Sequence, residues 1–392
     1  MKTESYIVKV EVLTPVHVGS GDSLNALNYI RQGDTLYVLD PDRWMEWLGG
    51  RQGAIERYIG WVEASLGRGV SLNEFLQERL RLNPSEVATA AKQVSRYAVR
   101  LEECGTPDPM RGFRTHIRDA RNRAYLPGSS LKGAIRTALI EDLLLEEDAL
   151  QARLVAPLKR IDGGGDPRRL RREARQVWQG MEAGTLRGGE MDAHYDLLRF
   201  VQVSDSEPVA HEQVSVRKVR SEGTNRNTNT WLEALREGAG TRVRLSFQPE
   251  APLRLLGLEG ELAQYLRPQE LFAVLAERAE RRLERELAYP YPPAVKQKVQ
   301  DLLAQNSEET PLLCIGWGQG YLGTTVMGLV LDESAEEYAQ AVRRLLPILP
   351  RRGQGIDARR FPKTRRAVRD TKDTARSPLG WVRLVLEEAS AG

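Results

Sequence analysis

The residues able to do chemistry in this chain gather in three glycine-bearing segments. The first is Tyr125 to Leu139, YLPGSSLKGAIRTAL. Pro127 and Gly128 make a turn, Ser129 and Ser130 are placed to cap a helix, and the free amides of a first helical turn sum to a partial positive charge. Lys132 and Arg136, four residues apart, share one face of that helix, an arrangement that receives an anionic oxygen, most naturally a phosphate. The segment is not a P-loop. GxxxxGK[ST] needs its Lys after the second glycine, whereas Lys132 precedes Gly133 and Ala134 follows it, so NTP hydrolysis is disfavoured. A capped helix in which Gly133 merely permits close packing is the plain alternative.

The second segment is Gly316 to Gly323, GWGQGYLG, in which Gly318 to Gly323 fits GxGxxG. A dinucleotide turn opens a helix at once, whereas Thr324, Thr325 and Val326 are β-branched and lead into an apolar run, which argues against a nucleotide cofactor. The amides of Gly316, Gly318, Gln319 and Gly320 beside Trp317 and Tyr321 suit single-stranded RNA instead, phosphates on the amides and bases on the rings. Structural turn-making is the alternative. The third segment is Thr14 to Asp22, TPVHVGSGD, where Gly19 and Gly21 allow close backbone approach and His17 is either a phosphate contact or a satisfied core histidine. His116, His194 and His211 show no metal-ligand spacing, no GxSxG elbow occurs, and Cys104 stands in no nucleophile signature. No metal, cofactor or catalytic residue is expected.

Short strands alternating with helices must position these segments. Tyr6–Val12 alternates apolar and polar residues as a half-buried strand, and Thr35–Leu39 follows as another. Pro41 and Asp42 open a helix to Leu48, and helical spacing from Ile55 to about Arg100 predicts a helical insertion. Cys104–Arg114 reads as a loop, and the helix after Ser129 carries Leu131, Ile135, Ala138, Leu139 and Leu143 on one stripe. Asp162–Gly189 reads as a basic excursion containing one helix, with a domain boundary there. Leu198–Ser204 and Thr241–Gln248 alternate as strands around a polar, protruding hairpin or loop at Gln213–Thr230. Gln269–Glu286 predicts an amphipathic helix, Leu312–Ile315 a buried strand and Val382–Leu386 a last strand. The fold class is α+β with two similar halves: residues 1–165 with a helical insertion at about 44–110, and residues 166–392 with a hairpin excursion at about 213–230 and a helical segment at about 255–305.

Length and composition exclude several classes. At 392 residues with 41% hydrophobic and 28% charged residues, the chain has volume for buried cores and lies far from disordered compositions. Two cysteines are too few for a disulfide framework, and the N-terminus lacks an apolar signal core, which points to the cytosol and away from membranes. Lys plus Arg is 57, of which ten are Lys and 47 Arg, a bias that suits phosphate and base recognition but also follows from GC-rich coding or heat adaptation. Arg351 to Arg383 holds eleven Lys or Arg and three Asp, a local charge of +8, and such a tract attracts polyanions.

Five blocks in order, TPVHVGSG, YLPGSSLKGAIRTAL, FVQVSDSEPV, LCIGWGQGYLGTTV and FPKTRR, resemble the RAMP superfamily of CRISPR systems, and their order is that of the family of fifth Csm subunits of type III-A effector complexes. The resemblance implies tandem ferredoxin-like (RRM-like) domains with helical insertions and a glycine-rich loop. It implies a non-catalytic subunit that caps the backbone filament at the 3′ region of the guide RNA (crRNA) and supports guide maturation by host nucleases. Its neighbours would be a backbone subunit, a small subunit and, when engaged, target RNA. Carried over, the RNA-binding positions are His17, Gly19, Ser20 and Gly21, then Ser129, Ser130, Lys132 and Arg136, then the loop Gly316 to Gly320. A thumb-like hairpin of the superfamily corresponds to Gln213–Thr230, with Arg217, Lys218, Arg220 and Arg226. Lys363, Arg365 and Arg366 of FPKTRR serve either RNA contact or structural ion pairing. The target-cutting filament subunit carries an aspartate five residues before the Arg of a VIR-like strand. Here that Arg is Arg31 and the position is Ala26, with Asp22 at the wrong spacing, so no ribonuclease activity is expected. The alternative is a metal-independent endoribonuclease acting on precursor guide RNA, with His17, His116 and Tyr321 as acid–base candidates.

Overall fold

The computed structural model describes residues 3–223, 228–250, 261–348 and 357–387. The alternating segment Glu4–Val12 is β1, and its Val8, Val10 and Val12 are buried. Its neighbours come from the far end of the chain. Strand β10 (Gly240–Phe247) lies on one side and β14 (Trp381–Leu386) on the other, so that Val10 faces Thr241 and Leu384. With β7 (Val201–Val203) and β11 (Leu312–Cys314) they form an antiparallel sheet of order β11-β14-β1-β10-β7.

A second, nine-stranded sheet runs β2 (Gly19–Leu24), β6 (Phe113–His116), β9 (Asn229–Leu235), β8 (Val214–Glu222), β5 (Ser95–Leu101), β4 (Thr35–Leu39), β3 (Tyr29–Gln32). Strand β12 (Arg365–Arg369) adds to β8, and β13 (Ala375–Ser377) to β12. The fold is α+β. Each sheet draws strands from both sides of residue 165, so the halves interleave and share one large core.

Helices α1 (Pro41–Gly49), α2 (Ala54–Ala64) and α3 (Pro84–Val94) form the expected insertion, packed through Trp44, Leu48, Trp61 and Val87 into a separate cluster with Ile30 and Leu39. The main core receives α4 (Gly128–Leu144) through Leu131, Ile135 and Leu139, α5 (Pro167–Leu186) through Leu170, Ala174 and Met181, and α6 (Pro268–Ala288) through Leu271 and Leu275. A further helix, α7 (Pro293–Leu303), completes the helical segment expected at 255–305; residues 251–260 lie outside the described residues. No described helix is long and apolar enough to cross a membrane.

Several local expectations are corrected. The helix expected to reach Arg100 stops at Val94, because Tyr97, Val99 and Leu101 bury on a period of two and pair as β5 between β4 and β8. Asp162–Gly189 is no excursion: the arginines of α5 hide an apolar stripe that seats it in the core. Gln213–Thr230 does not protrude as a whole. Val214, Val216 and Val219 are buried, and β8 pairs with β5, β9 and β12. Thr14–Asp22 is only partly loop, since Gly19 already belongs to β2. Residues Gly320–Thr324 and Met327–Glu333 are helical, so the β-branched run after GWGQGYLG does not exclude a helix. What separates this turn from a dinucleotide turn is that its strand, β11, pairs antiparallel with β14, where a Rossmann unit is parallel.

Candidate nucleic-acid interface

Two of the three glycine segments meet in space. The Trp317 amide donates to the His17 carbonyl at 2.7 Å. Gly316 makes that approach possible: its φ is +76°, and a Cβ there would lie 2.4 Å from the same carbonyl oxygen. The Trp317 ring then lies edge-on to the His17 ring at 6.2 Å, and two guanidiniums lie over it, Arg366 at 3.9 Å and Arg114 at 5.1 Å. Arg114 is exposed on β6, and Gly19, Ser20 and Gly21 are exposed on the adjoining β2, where Ser23 pairs with Arg114. Ser20 and Thr115 share a hydroxyl hydrogen bond of 2.6 Å. The result is a surface of glycine backbone, two arginines and a half-buried indole, with the chemistry to receive a nucleic-acid backbone and a stacked base.

The loop is braced from behind by α6. Arg282 donates to the Gln319 side chain at 3.0 Å and to its carbonyl at 3.3 Å, and the Gln319 amide donates to the Gly316 carbonyl at 3.1 Å. Gln319 therefore locks the loop with its side chain. Arg278 reaches the Gly323 carbonyl at 3.1 Å and the Glu141 carboxylate of α4 at 3.0 Å, a buried ion pair. A Cβ at Gly323 would lie 2.5 Å from the Arg282 guanidinium, so a side chain there would displace that brace. Tyr321 packs edge-on against Phe361 at 5.0 Å, and burial pushes its hydroxyl up to about 12.

His17 is buried, and its Nδ1 lies 2.5 Å from the Glu233 carbonyl, which fixes Nδ1 as the donor. Burial lowers its pKa to about 4. His116 is buried too. Its Nδ1 accepts from the Val18 amide at 3.2 Å and its Nε2 donates to the Tyr125 carbonyl at 3.0 Å, while burial takes its pKa to about 3. Both imidazoles are neutral near pH 7. Glu233, fully buried between them, accepts from the His116 amide at 2.9 Å and pairs with Arg118 at 3.4 Å.

The segment YLPGSSLKGAIRTAL is turned inward. Helix α4 begins at Gly128 behind Pro127, and neither Ser129 nor Ser130 caps it; the Gly128 amide is taken by the Asp205 carboxylate at 2.8 Å. Ser129 is exposed in the first turn and Ser130 half-buried. Lys132 donates to the Val201 carbonyl at 2.8 Å, and Arg136 binds Asp196 at 2.6 Å and Glu182 at 3.3 Å, with Arg187 on the same two carboxylates. The anion that this helix terminus calls for is a side chain of the same protein.

The hairpin bases are likewise engaged. Arg217 pairs with Glu102 at 2.8 Å, while Lys218 and Arg220 pair with Asp373 at 3.1 and 2.6 Å. Arg226 lies outside the described residues. In FPKTRR, Arg365 pairs with Glu286 at 3.0 Å, Lys363 is exposed, and Arg366 stands over Trp317. Sequence reasoning missed Arg114, Arg278, Arg282 and Glu233. Only the arginines of α6 left a trace, as polar residues at spacing four on an amphipathic helix, Arg278 and Arg282.

Residues 9–322, which carry most of both sheets, match the RAMP superfamily, and the chain belongs to it. Its α+β architecture is the ferredoxin-like class that the motifs implied. The chain is similar to the CRISPR system Cms protein Csm5 of Streptococcus thermophilus, 23% identical over 304 residues, 74% of this chain and 78% of that protein. It is also similar to Csm5 of Methanocaldococcus jannaschii, 21% identical over 414 residues, 97% of this chain and 89% of that protein. The match to Csm5 of Enterococcus italicus is shorter, 26% identical over 148 residues, and spans 34% of this chain and 42% of that protein. Two solved structures share the fold. One is a chain of the cryo-EM structure of a Csm-crRNA-target RNA ternary complex of a type III-A CRISPR-Cas system, with TM-score 0.71 at 22% identity over 98% of this chain and 100% of that one. The other is the crystal structure of Csm5 from T. onnurineus, with TM-score 0.66 at 21% identity over 95% and 99%.

Proposed function

We propose that the chain is the Csm5-type subunit of a type III-A Csm ribonucleoprotein, and that it holds guide RNA by its backbone without cleaving it. Its place is the 3′ region of the guide, where it caps the backbone filament beside a backbone and a small subunit, supporting guide maturation and antiviral defence. The observation that carries this reading is the convergence of Gly19–Gly21 and Gly316–Gly320 on Trp317 beneath Arg114 and Arg366. Phosphate contacts of this kind position a strand without reading its sequence. Support for a non-catalytic role comes from the three acid–base candidates. His17 and His116 are buried and neutral, and the Tyr321 hydroxyl is held near 12, so none offers a proton in the physiological range at the surface.

The test is RNA binding by Arg114→Glu/Arg366→Glu beside the parent chain. The double variant is expected to weaken guide binding about tenfold or more and to flatten its salt dependence by about one to two phosphates. Unchanged binding and slope would remove this surface from the account. Incubation with repeat RNA in EDTA tests the other half, since discrete cleavage lost in His17→Ala would establish an endoribonuclease.

A further inference from the structure

Helix α5 carries a second basic surface that the Trp317 cluster does not use. Its buried positions Leu170, Ala174 and Met181 define the inner face, while Arg168, Arg171, Arg172 and Arg175 are exposed. At 3.6 residues per turn the four fall within about 100° of one another on the outward side, and span about 10 Å along the axis. Among the described residues none of the four side chains has an ion-pair or hydrogen-bond partner, although neighbouring Arg169 pairs with Glu173 at 2.7 Å. The contrast with the rest of the fold is chemical. Arg136, Arg187, Arg278 and Arg365 are all held against carboxylates.

The helix terminus itself contributes no anion site, because Asp166 already accepts from the Arg168 amide at 3.1 Å. An anion here is drawn by guanidiniums, which grip phosphate oxygens bidentately. Helix α4 bridges α5, through Arg136 and Glu182, and α6, through Glu141 and Arg278, the helix whose Arg282 braces the Trp317 loop. No exposed large hydrophobic residue lies on α5; among the described residues these are Met45, Ile59, Leu66, Met110, Leu145 and Met191. A protein interface builds its centre from apolar and aromatic side chains with charge at the rim. Four unpaired arginines with no apolar anchor match a run of phosphates instead.

We propose that the α5 arginine stripe binds the sugar–phosphate backbone of RNA, independent of sequence, as a contact distinct from the Trp317 surface. The experiment is fluorescence anisotropy of the full chain with an end-labelled, mixed-sequence single-stranded RNA of about 40 nucleotides, titrated across salt. Arg168→Gln/Arg171→Gln/Arg172→Gln/Arg175→Gln is expected to lower the slope of log Kd against log salt by about 2 to 3, four contacts at about 0.7 each, and to weaken binding about 10- to 100-fold at low salt. The loss is the same on a poly-U strand, and the all-lysine counterpart keeps most of the slope. These side chains are exposed, so the thermal melt stays that of the parent; if the quadruple variant misfolds, Arg171→Gln/Arg175→Gln carries about half the slope change. Parent-like slope and affinity in the glutamine variants would overturn the proposal. So would a labelled oligoglutamate that binds the parent and loses the variant while RNA binding is unchanged, since that assigns the stripe to an acidic protein. Arg114→Glu/Arg366→Glu run in parallel keeps the two surfaces apart, because either can fail while the other holds.

Discussion

Gly316→Ala tests how the Gly316–Gly323 loop is held. At φ +76°, an alanine costs about 1 to 2 kcal/mol for left-handed backbone. Its Cβ would also sit 2.4 Å from the His17 carbonyl oxygen, a backbone atom that cannot rotate away, and overpacking of that kind costs about 1 to 3 kcal/mol more. The control is Gly320→Ala, at φ +71° with nothing within 4 Å of the new Cβ, where only the backbone cost of about 1 to 2 kcal/mol applies. The loop relieves the strain by leaving His17, which breaks the hydrogen bond donated by the Trp317 amide. Amide hydrogen exchange at Trp317 reads this directly. Protection falls about 30-fold or more in Gly316→Ala, corresponding to at least about 2 kcal/mol, and about tenfold less in Gly320→Ala. RNA affinity falls in the same order. Equal protection in the two variants would refute the view that contact with His17 seats Trp317.

Three further outcomes follow from the same geometry. Arg278→Ala strips the partner from buried Glu141 and is expected to destabilise the chain by about 3 to 5 kcal/mol in urea unfolding, with much of it recovered in Arg278→Met/Glu141→Leu. His17 and His116 have folded pKa values lowered by burial to about 4 and about 3, from 6.5. Between pH 6.5 and 4 the unfolded chain therefore binds more protons, so stability present above pH 6.5 is lost as the pH falls. The slope is about 1.4 kcal/mol per pH unit for each histidine, and His116→Gln halves that part of it. Arg136→Ala breaks contacts to Asp196 and Glu182, and is expected to lower stability by about 1 to 3 kcal/mol while leaving the salt slope of RNA binding unchanged. A lowered slope with unaltered stability would return Arg136 to the RNA.

Much of the architecture was legible because burial follows period. Glu4–Val12 and Thr35–Leu39 alternate, and Leu131, Ile135 and Leu139 repeat at helical spacing. Ser95–Leu101 was not legible, since helical and extended spacing bury overlapping residues and only pairing with β4 and β8 decides. The glycine segments were legible as places where backbone must come close, but not that His17 and Trp317 are each other's neighbours across 300 residues of chain. Charge hid its partners. Lys132 and Arg136 read as contacts for an anion, Arg217, Lys218 and Arg220 entered through the family resemblance, and Arg365 stood open between RNA contact and ion pairing; each is engaged by a carboxylate or carbonyl distant in sequence. Arg114 gave no local signal at all, because what distinguishes it is its strand's place beside β2 and under Trp317.

The most direct test of the central claim is to tag the protein in its native host, purify it gently, and sequence the bound small RNA alongside mass spectrometry of the partners. Guide RNAs with mature 3′ ends are expected together with Csm-type neighbours, depleted when Arg114→Glu/Arg366→Glu replaces the parent. A folded preparation that carries neither RNA nor such partners would contradict it.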